Sequence, residues 1–212
     1  MNQSESFNKT KKHFDEIAAT YAESSDGKFC EPSYVLLTEE VEKFSTGKLL
    51  DVSCGTGTVL SMLTKSPLEK YGVDFSEKMI EVAQQKVGDT AQLRVSSAED
   101  VPFDDNTFDV LTCSFAFHHY IHPAKVLQEF RRVMKPGATL IMADPYLPQP
   151  LRSLINPLLR FSDNGDYHMY GRQELCRLMK DSGFKMEDYR RIGKRSFICR
   201  CIVVNKPTNQ KR

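Results

Sequence analysis

Lys48 to Gly57 reads KLLDVSCGTG: a short apolar run around Asp51, then a turn with two glycines one residue apart. An apolar run of this length, bounded by turn residues, is the pattern of a buried strand. Glycine lets the backbone turn sharply and lets a ligand approach without a Cβ in the way. A helix predicted over 58–64, with Val59, Leu60 and Leu63 on one side, would present unpaired N–H groups and the positive end of its dipole to that turn. Such turns bind phosphates or carboxylates. Two nucleotide signatures fail at this position. A dinucleotide fingerprint counted from Gly55 and Gly57 needs a third glycine where the chain has Leu60. A phosphate loop needs Gly-Lys-Ser/Thr, and none follows.

Outward from this turn, strands alternate with helices. Strands are predicted at 70–73 (closed by Asp74), 93–95, 108–115 and 139–143. Ser76 is a good N-cap for a helix carrying Met79, Ile80, Ala83 and Val87, and Gly88 fits its C-terminal end. Pro123 opens another, with Val126, Leu127, Phe130 and Met134 inward and Pro136-Gly137 as its stop. This alternation argues for an α/β fold with a mostly parallel sheet covered by helices on both faces. Two helices precede any strand. Phe7, Phe14, Ile17, Ala18 and Tyr21 mark the first; the second follows Pro32, with Tyr34, Leu37, Val41 and Phe44, and ends at Thr46-Gly47. Residues 144–170 hold four prolines and break the rhythm, so they read as an insertion over the active face. After a helix at 173–179, strands at 185–192 and 196–205 are joined by Gly193-Lys194-Arg195. That link is too short for a parallel crossover, so the last strand should be antiparallel. The expected organisation is one domain: a helical cap over 1–46, a cofactor core over 47–144, a substrate-side insertion over 145–170, and a closing helix and hairpin over 171–205.

Lys plus Arg is 29 and Asp plus Glu is 28 in 212 residues, a net charge of +1. That balance points away from nucleic acid or an anionic membrane as the main partner. The basic tail, Lys206 to Arg212, reads as a frayed end rather than a binding arm. Six scattered cysteines with no CxxC pair favour buried free thiols over disulfides or zinc. Residues 1–14 lack the apolar region of a signal peptide, and no apolar run approaches the roughly 20 residues of a membrane span. The expectation is a soluble cytoplasmic protein.

Asp51 would repel a pyrophosphate but suits a ligand carrying positive charge. S-adenosylmethionine carries it twice, in an amino group and a sulfonium. Asp74, at a strand end, offers two oxygens to ribose hydroxyls.

The ordered motifs LLDVSCGTG, YGVDFSEKMIEVAQQK, SSAEDVPFDDNTFDVLTCSFAFHHY and LQEFRRVMKPGATLIMAD resemble those of class I S-adenosylmethionine-dependent methyltransferases, in the ubiquinone/menaquinone-type small-molecule group. The resemblance runs from the first helix to the final hairpin. It implies a Rossmann-like seven-stranded sheet with an antiparallel last strand. It also implies that Asp51 and Gly55 to Gly57 line the methionine end, and that Asp74 and Phe75 meet ribose and adenine. Met79 would lie under the adenine ring, Ala98 and Glu99 beside it, and Ser114 and Phe115 would flank the sulfonium. Tyr21 closes the family's FDxxAxxY pattern (Phe14, Asp15, Ala18, Tyr21). With Ser53, Cys54, Thr56 and Ser97 these residues make up the candidate cofactor site. Ser53 stands where the family usually has glycine, which costs energy if φ is positive there.

No catalytic residue is assigned, because methyl transfer from a sulfonium needs alignment more than acid–base chemistry. His118 or His119 would serve as base only for a weakly acidic nucleophile. Adjacent histidines in such a loop should point apart, and no metal is expected. Phe115 and Phe117 alternate, so only one should face the site. Tyr167 to Tyr170 could wall a substrate pocket or pack as a lid. Arg131-Arg132 and Arg190-Arg191 read as solvated charges. The expected function is transfer of a methyl group to a small molecule. The alternative is a catalytically silent cofactor-binding protein acting through a partner, which a cleft filled by 144–170 would favour.

Overall fold

Leu49, Leu50 and Val52 are fully buried in β1 (Lys48–Val52), which lies near the middle of a seven-stranded sheet. The computed structural model describes residues 3–159, 161–162 and 165–204, without the side chains of 3–6. The other strands are β2 (Glu69–Asp74), β3 (Gln92–Val95), β4 (Phe108–Ser114), β5 (Met134–Pro145), β6 (Phe184–Ile192) and β7 (Ser196–Val203). Their order is β3-β2-β1-β4-β5-β7-β6. β1 to β5 pair in parallel, and β7 runs antiparallel to both β5 and β6. The hairpin link Gly193-Lys194-Arg195 thus does what its length demands. This is the Rossmann-like α/β arrangement expected from the sequence.

The helices are α1 (Gln3–Ile17), α2 (Ser25–Val41), α3 (Thr58–Met62), α4 (Glu77–Val87), α5 (Pro123–Val133), α6 (Leu151–Leu159) and α7 (Arg172–Asp181). Alternation along the strands splits the core in two. Leu50, Leu111 and Met142 face α5 and α7 through Phe130 and Leu175. Leu49, Val110 and Ile141 face α2, α3 and α4 through Leu37, Leu60 and Val87. Two glycines permit tight packing on that second face. A Cβ on Gly57 (φ +70°) would meet Ala83 of α4 at 3.0 Å, and one on Gly72 would meet Leu60 at 2.8 Å. Leu60 therefore fits because the space is cleared on β2 rather than on α3.

Several boundaries differ from the sequence reading. α2 begins at Ser25, because the Ser24 side chain caps it by accepting from Gly27 N–H. Pro32 sits inside α2 on its exposed face. Tyr21 lies in a 3₁₀ segment, Ala18–Glu23, not on α1. α5 ends at Val133, and Met134 opens β5 instead of closing the helix, so Pro136-Gly137 falls within a long strand. Arg132 is no solvated charge: it bonds Glu129, Asp105 and the carbonyls of Val101 and Phe103. Arg190 likewise pairs with Glu40 and Asp188. Cys199 and Cys201 share the buried face of β7, and all six cysteines are free. Asn205 and the tail Lys206 to Arg212 lie outside the described residues. Among the described residues no helix is long and apolar enough to cross a membrane.

Phe108 is fully buried and packs edge-on against Phe103 and Tyr71, with ring centroids at 5.0 and 5.4 Å. Phe108→Ala should destabilise the chain by about 3–5 kcal/mol, read as a lowered urea midpoint.

Candidate active site

The chain departs from β1 toward β2 on one side, and from β3 it returns to β4 on the other. The crevice at that divergence is where open α/β sheets bind ligands. A cavity of about 460 Å³ lies there, within the range of small-molecule sites. Of the fifteen candidate cofactor residues, Tyr21, Asp51, Ser53, Cys54, Gly55, Thr56, Asp74, Phe75, Met79, Ser97, Ala98, Glu99, Ser114 and Phe115 all line it. Gly57 does not; it stands behind the turn, packed on Ala83. Phe115 faces the cavity and Phe117 the core, so one of the pair faces the site as expected, although the chain leaves the strand at Ser114 and strand alternation is not what separates them.

Asp51 is 2% exposed and Asp74 is 4% exposed. Asp51 accepts from Thr112 Oγ1 at 2.7 Å. Burial, aided by the charge of Asp74, raises its pKa to about 7. Asp74 is likewise raised by burial, to about 6, although it accepts from the N–H groups of Gly55 and Ser76 at 2.9 Å each. Those two bonds brace the glycine turn against β2 and leave lone pairs free toward the cavity. Neither carboxylate has an ion-pair partner among the described residues. Ser114 Oγ is also buried without a hydrogen bond. A ligand bearing a cation and hydroxyls fits this set of groups, and S-adenosylmethionine has both.

Ser53 adopts φ +55°, so its backbone is strained where glycine would not be. Its hydroxyl lies 2.8 Å from Tyr120 Oη, giving the serine an anchor. Phe115, at φ +51°, is a second strained residue on the same rim. Glu99 is drawn to His122 and Lys125, at 2.9 and 3.0 Å, at the cavity edge.

α1 closes the opposite side. Asp15 accepts from Ser76 Oγ at 2.6 Å, tying α1 to the residue that also caps α4 through Met79 N–H. Phe7 and Phe14 rest against Phe75, at centroid distances of 5.5 and 6.1 Å. Phe7, Phe14, Tyr34, Tyr120 and His122 line the cavity without having been read as site residues. The phenylalanines and Tyr34 were on helical stripes, where an apolar spacing cannot separate core from pocket. Tyr120 carried no signal.

A second cavity of about 230 Å³ adjoins the first and shares Phe14, Tyr21, Phe115 and His119 with it. Pro145, Tyr146, Leu147, Asp166 and Met169 form its far wall, so the described residues of 144–170 line an open cleft. Tyr170 packs into the core beside Phe117, and His168 pairs with Glu174. Contrary to the sequence reading, His118 and His119 stand side by side, with ring centroids at 3.9 Å. Asp144 and Asp166 accompany them, brought from distant parts of the chain. Burial opposes protonation of His118, but these two carboxylates outweigh it and hold its pKa up to about 9. Burial and the neighbouring His118 push His119 down to about 3.

Residues 50–142 match the family described as a methyltransferase domain. A demethylmenaquinone methyltransferase of Thermotoga maritima is 30% identical over 213 residues, covering 84% of this chain and 90% of that protein. The chain belongs to the class I S-adenosylmethionine-dependent methyltransferases, in the ubiquinone/menaquinone-methyltransferase-like group. A demethylmenaquinone methyltransferase of Lactiplantibacillus plantarum is 36% identical over 141 residues, covering 63% of this chain and 59% of that protein. The chain spans about half the length of several other curated relatives it matches. The crystal structure of a SAM-dependent methyltransferase from Aquifex aeolicus superposes with a TM-score of 0.65 at 26% identity, covering 84% of this chain and 96% of that one. Ser53, where the resemblance implies glycine, carries its positive φ together with a hydroxyl contact to Tyr120.

Two outcomes are expected. Ser53→Ala keeps the strain and loses the Tyr120 bond, so it should be less stable than Ser53→Gly by about 1–2 kcal/mol, measured by urea unfolding. An unfolded aspartate titrates near about 3.9, whereas folded Asp51 titrates near 7, so its contribution to stability is present at low pH and lost as pH rises through 7. Asp51→Asn removes that loss. Its stability relative to the native chain should therefore increase between about pH 5 and about pH 8.

Proposed function

We propose that this chain transfers a methyl group from S-adenosylmethionine to a small-molecule acceptor by in-line displacement. The observation that carries the reading is the pair Asp51 and Asp74, buried at adjacent strand ends, facing one cavity, without a cationic partner among the described residues. When bound, the cofactor would supply a methyl group already activated on sulfur.

The chain's own residues would hold and align. Asp51 would neutralise positive charge at the methionine end, with Thr112 fixing its orientation. Asp74 would accept ribose hydroxyls while its backbone bonds keep the turn in place. Ser114 Oγ and Phe115 would border the reacting end, and Met79 with Phe75 would flank the adenine. Phe7, Phe14 and Tyr21, held down by the Asp15–Ser76 bond, would exclude water, which strengthens every electrostatic contact inside. The acceptor would enter the second cavity, placing segment 145–170 on the substrate side. The cap over 1–46, the core over 47–144 and the closing elements over 171–205 would then divide the labour within one domain.

Phe29, Tyr146 and Phe115 give the second cavity aromatic walls that suit a flat acceptor, and His118, His119, Asp166 and Arg195 give it polar groups as well. The relatives named as demethylmenaquinone methyltransferases support a small-molecule acceptor of that kind.

Isothermal titration of the purified chain with S-adenosylhomocysteine should show binding at one site. Asp74→Ala should weaken it by about 1–3 kcal/mol, with the fold retained by circular dichroism. Absence of binding to both S-adenosylhomocysteine and S-adenosylmethionine would sink the reading.

A further inference from the structure

His118, His119 and Asp166 bring one ligand atom each to within 4.8 Å of one another. His118 Nε2 lies 3.3 Å from Asp166 Oδ1, and His119 Nδ1 lies 3.6 Å from the same oxygen. A tetrahedral ion with bonds of 2.0–2.1 Å holds its ligands about 3.4 Å apart, between those two separations. We propose that these three residues bind a divalent transition-metal ion of the zinc class, with its open positions toward the second cavity.

The surroundings are those of a metal centre. Metal-bound histidines characteristically donate their other ring nitrogen to a carboxylate, which fixes the tautomer. His118 Nδ1 lies 2.8 Å from Asp144 Oδ1, and Asp144 is fully buried. That leaves Nε2 as the ligand atom. His119 Nδ1 is buried and makes no hydrogen bond. The carbonyl of His118 accepts from the N–H groups of Tyr167 and His168, so the loop carrying Asp166 is stapled to the histidine pair before any ion arrives. Two nitrogens and one carboxylate leave at least one position for water or an anionic ligand group. His118, His119 and Asp166 all line the second cavity, and His119 also borders the first, so an ion held by them would open onto the second cavity beside the cofactor cavity. The competing account is a purely structural ion-pair network that orders the 165–168 loop.

The test uses the full chain, stripped with a chelator and titrated with zinc alone by calorimetry, and with cobalt alone by visible absorption. One ion per chain is expected, with a rise in melting temperature. His119→Gln and Asp166→Asn should each abolish it, and Asp144→Asn should weaken it about 10–100-fold. His122→Ala, on the same loop but paired with Glu99, should bind as the native chain does. No uptake by the native chain overturns the proposal. So does equal affinity in His119→Gln and Asp166→Asn, which would mark an adventitious ion only. Zinc and S-adenosylhomocysteine titrations are read separately, so either can fail without the other.

Discussion

Asp51 and Asp74 are held in a low-dielectric crevice by two neighbouring parallel strands, where burial raises the cost of both charges and Asp74 adds to that of Asp51. Burying a carboxylate without a counter-charge is expensive, and the usual escape is protonation. Both groups shift in that direction. Such a pair is a liability for stability and an asset for recognition: the missing positive charge and hydroxyls can come from a ligand. Everything near the site holds these two groups in place. Gly55 and Ser76 lend amides to Asp74, Thr112 lends a hydroxyl to Asp51, and Gly57 and Gly72 let α3 and α4 close in behind.

The strained residues sit on the same rim. Ser53 and Phe115 both adopt left-handed backbone at the ends of β1 and β4, where the crevice opens. Ser53 is held by Tyr120, and Phe115 by its N–H bond to the Ala143 carbonyl and by the rings of Phe29 and Tyr34. α1 adds a latch from the other side through Asp15 and Ser76. Ser76 thus joins the cap to the strand-end carboxylate: its hydroxyl donates to Asp15 and its N–H donates to Asp74.

Much of this was legible in the sequence because local chemistry and global fold agree. KLLDV is a buried strand, Ser76 and Gly88 cap their helix, and three residues cannot make a parallel crossover. Where the reading failed, tertiary structure overrode a local rule. Pro32 does not start a helix, since Ser24 starts it earlier and Pro32 faces solvent. Met134 has a helical spacing but belongs to a strand, because β5 must begin there to pair with Phe108. Arg132 is held by groups that come together only in the folded chain. The histidine pair is the clearest case: Asp144 and Asp166 lie 26 and 48 positions from His118 in sequence, and no spacing rule brings them there.

The central claim is that a cationic ligand completes a buried carboxylate pair. It is tested most directly by calorimetry of S-adenosylhomocysteine binding at about pH 6.5 in buffers of different ionisation enthalpy, which counts the protons exchanged on binding. The account predicts net proton release, because the bound amino group forces Asp51 to ionise, and predicts that Asp51→Asn largely abolishes it. Binding without proton release, or release unchanged in Asp51→Asn, would contradict it.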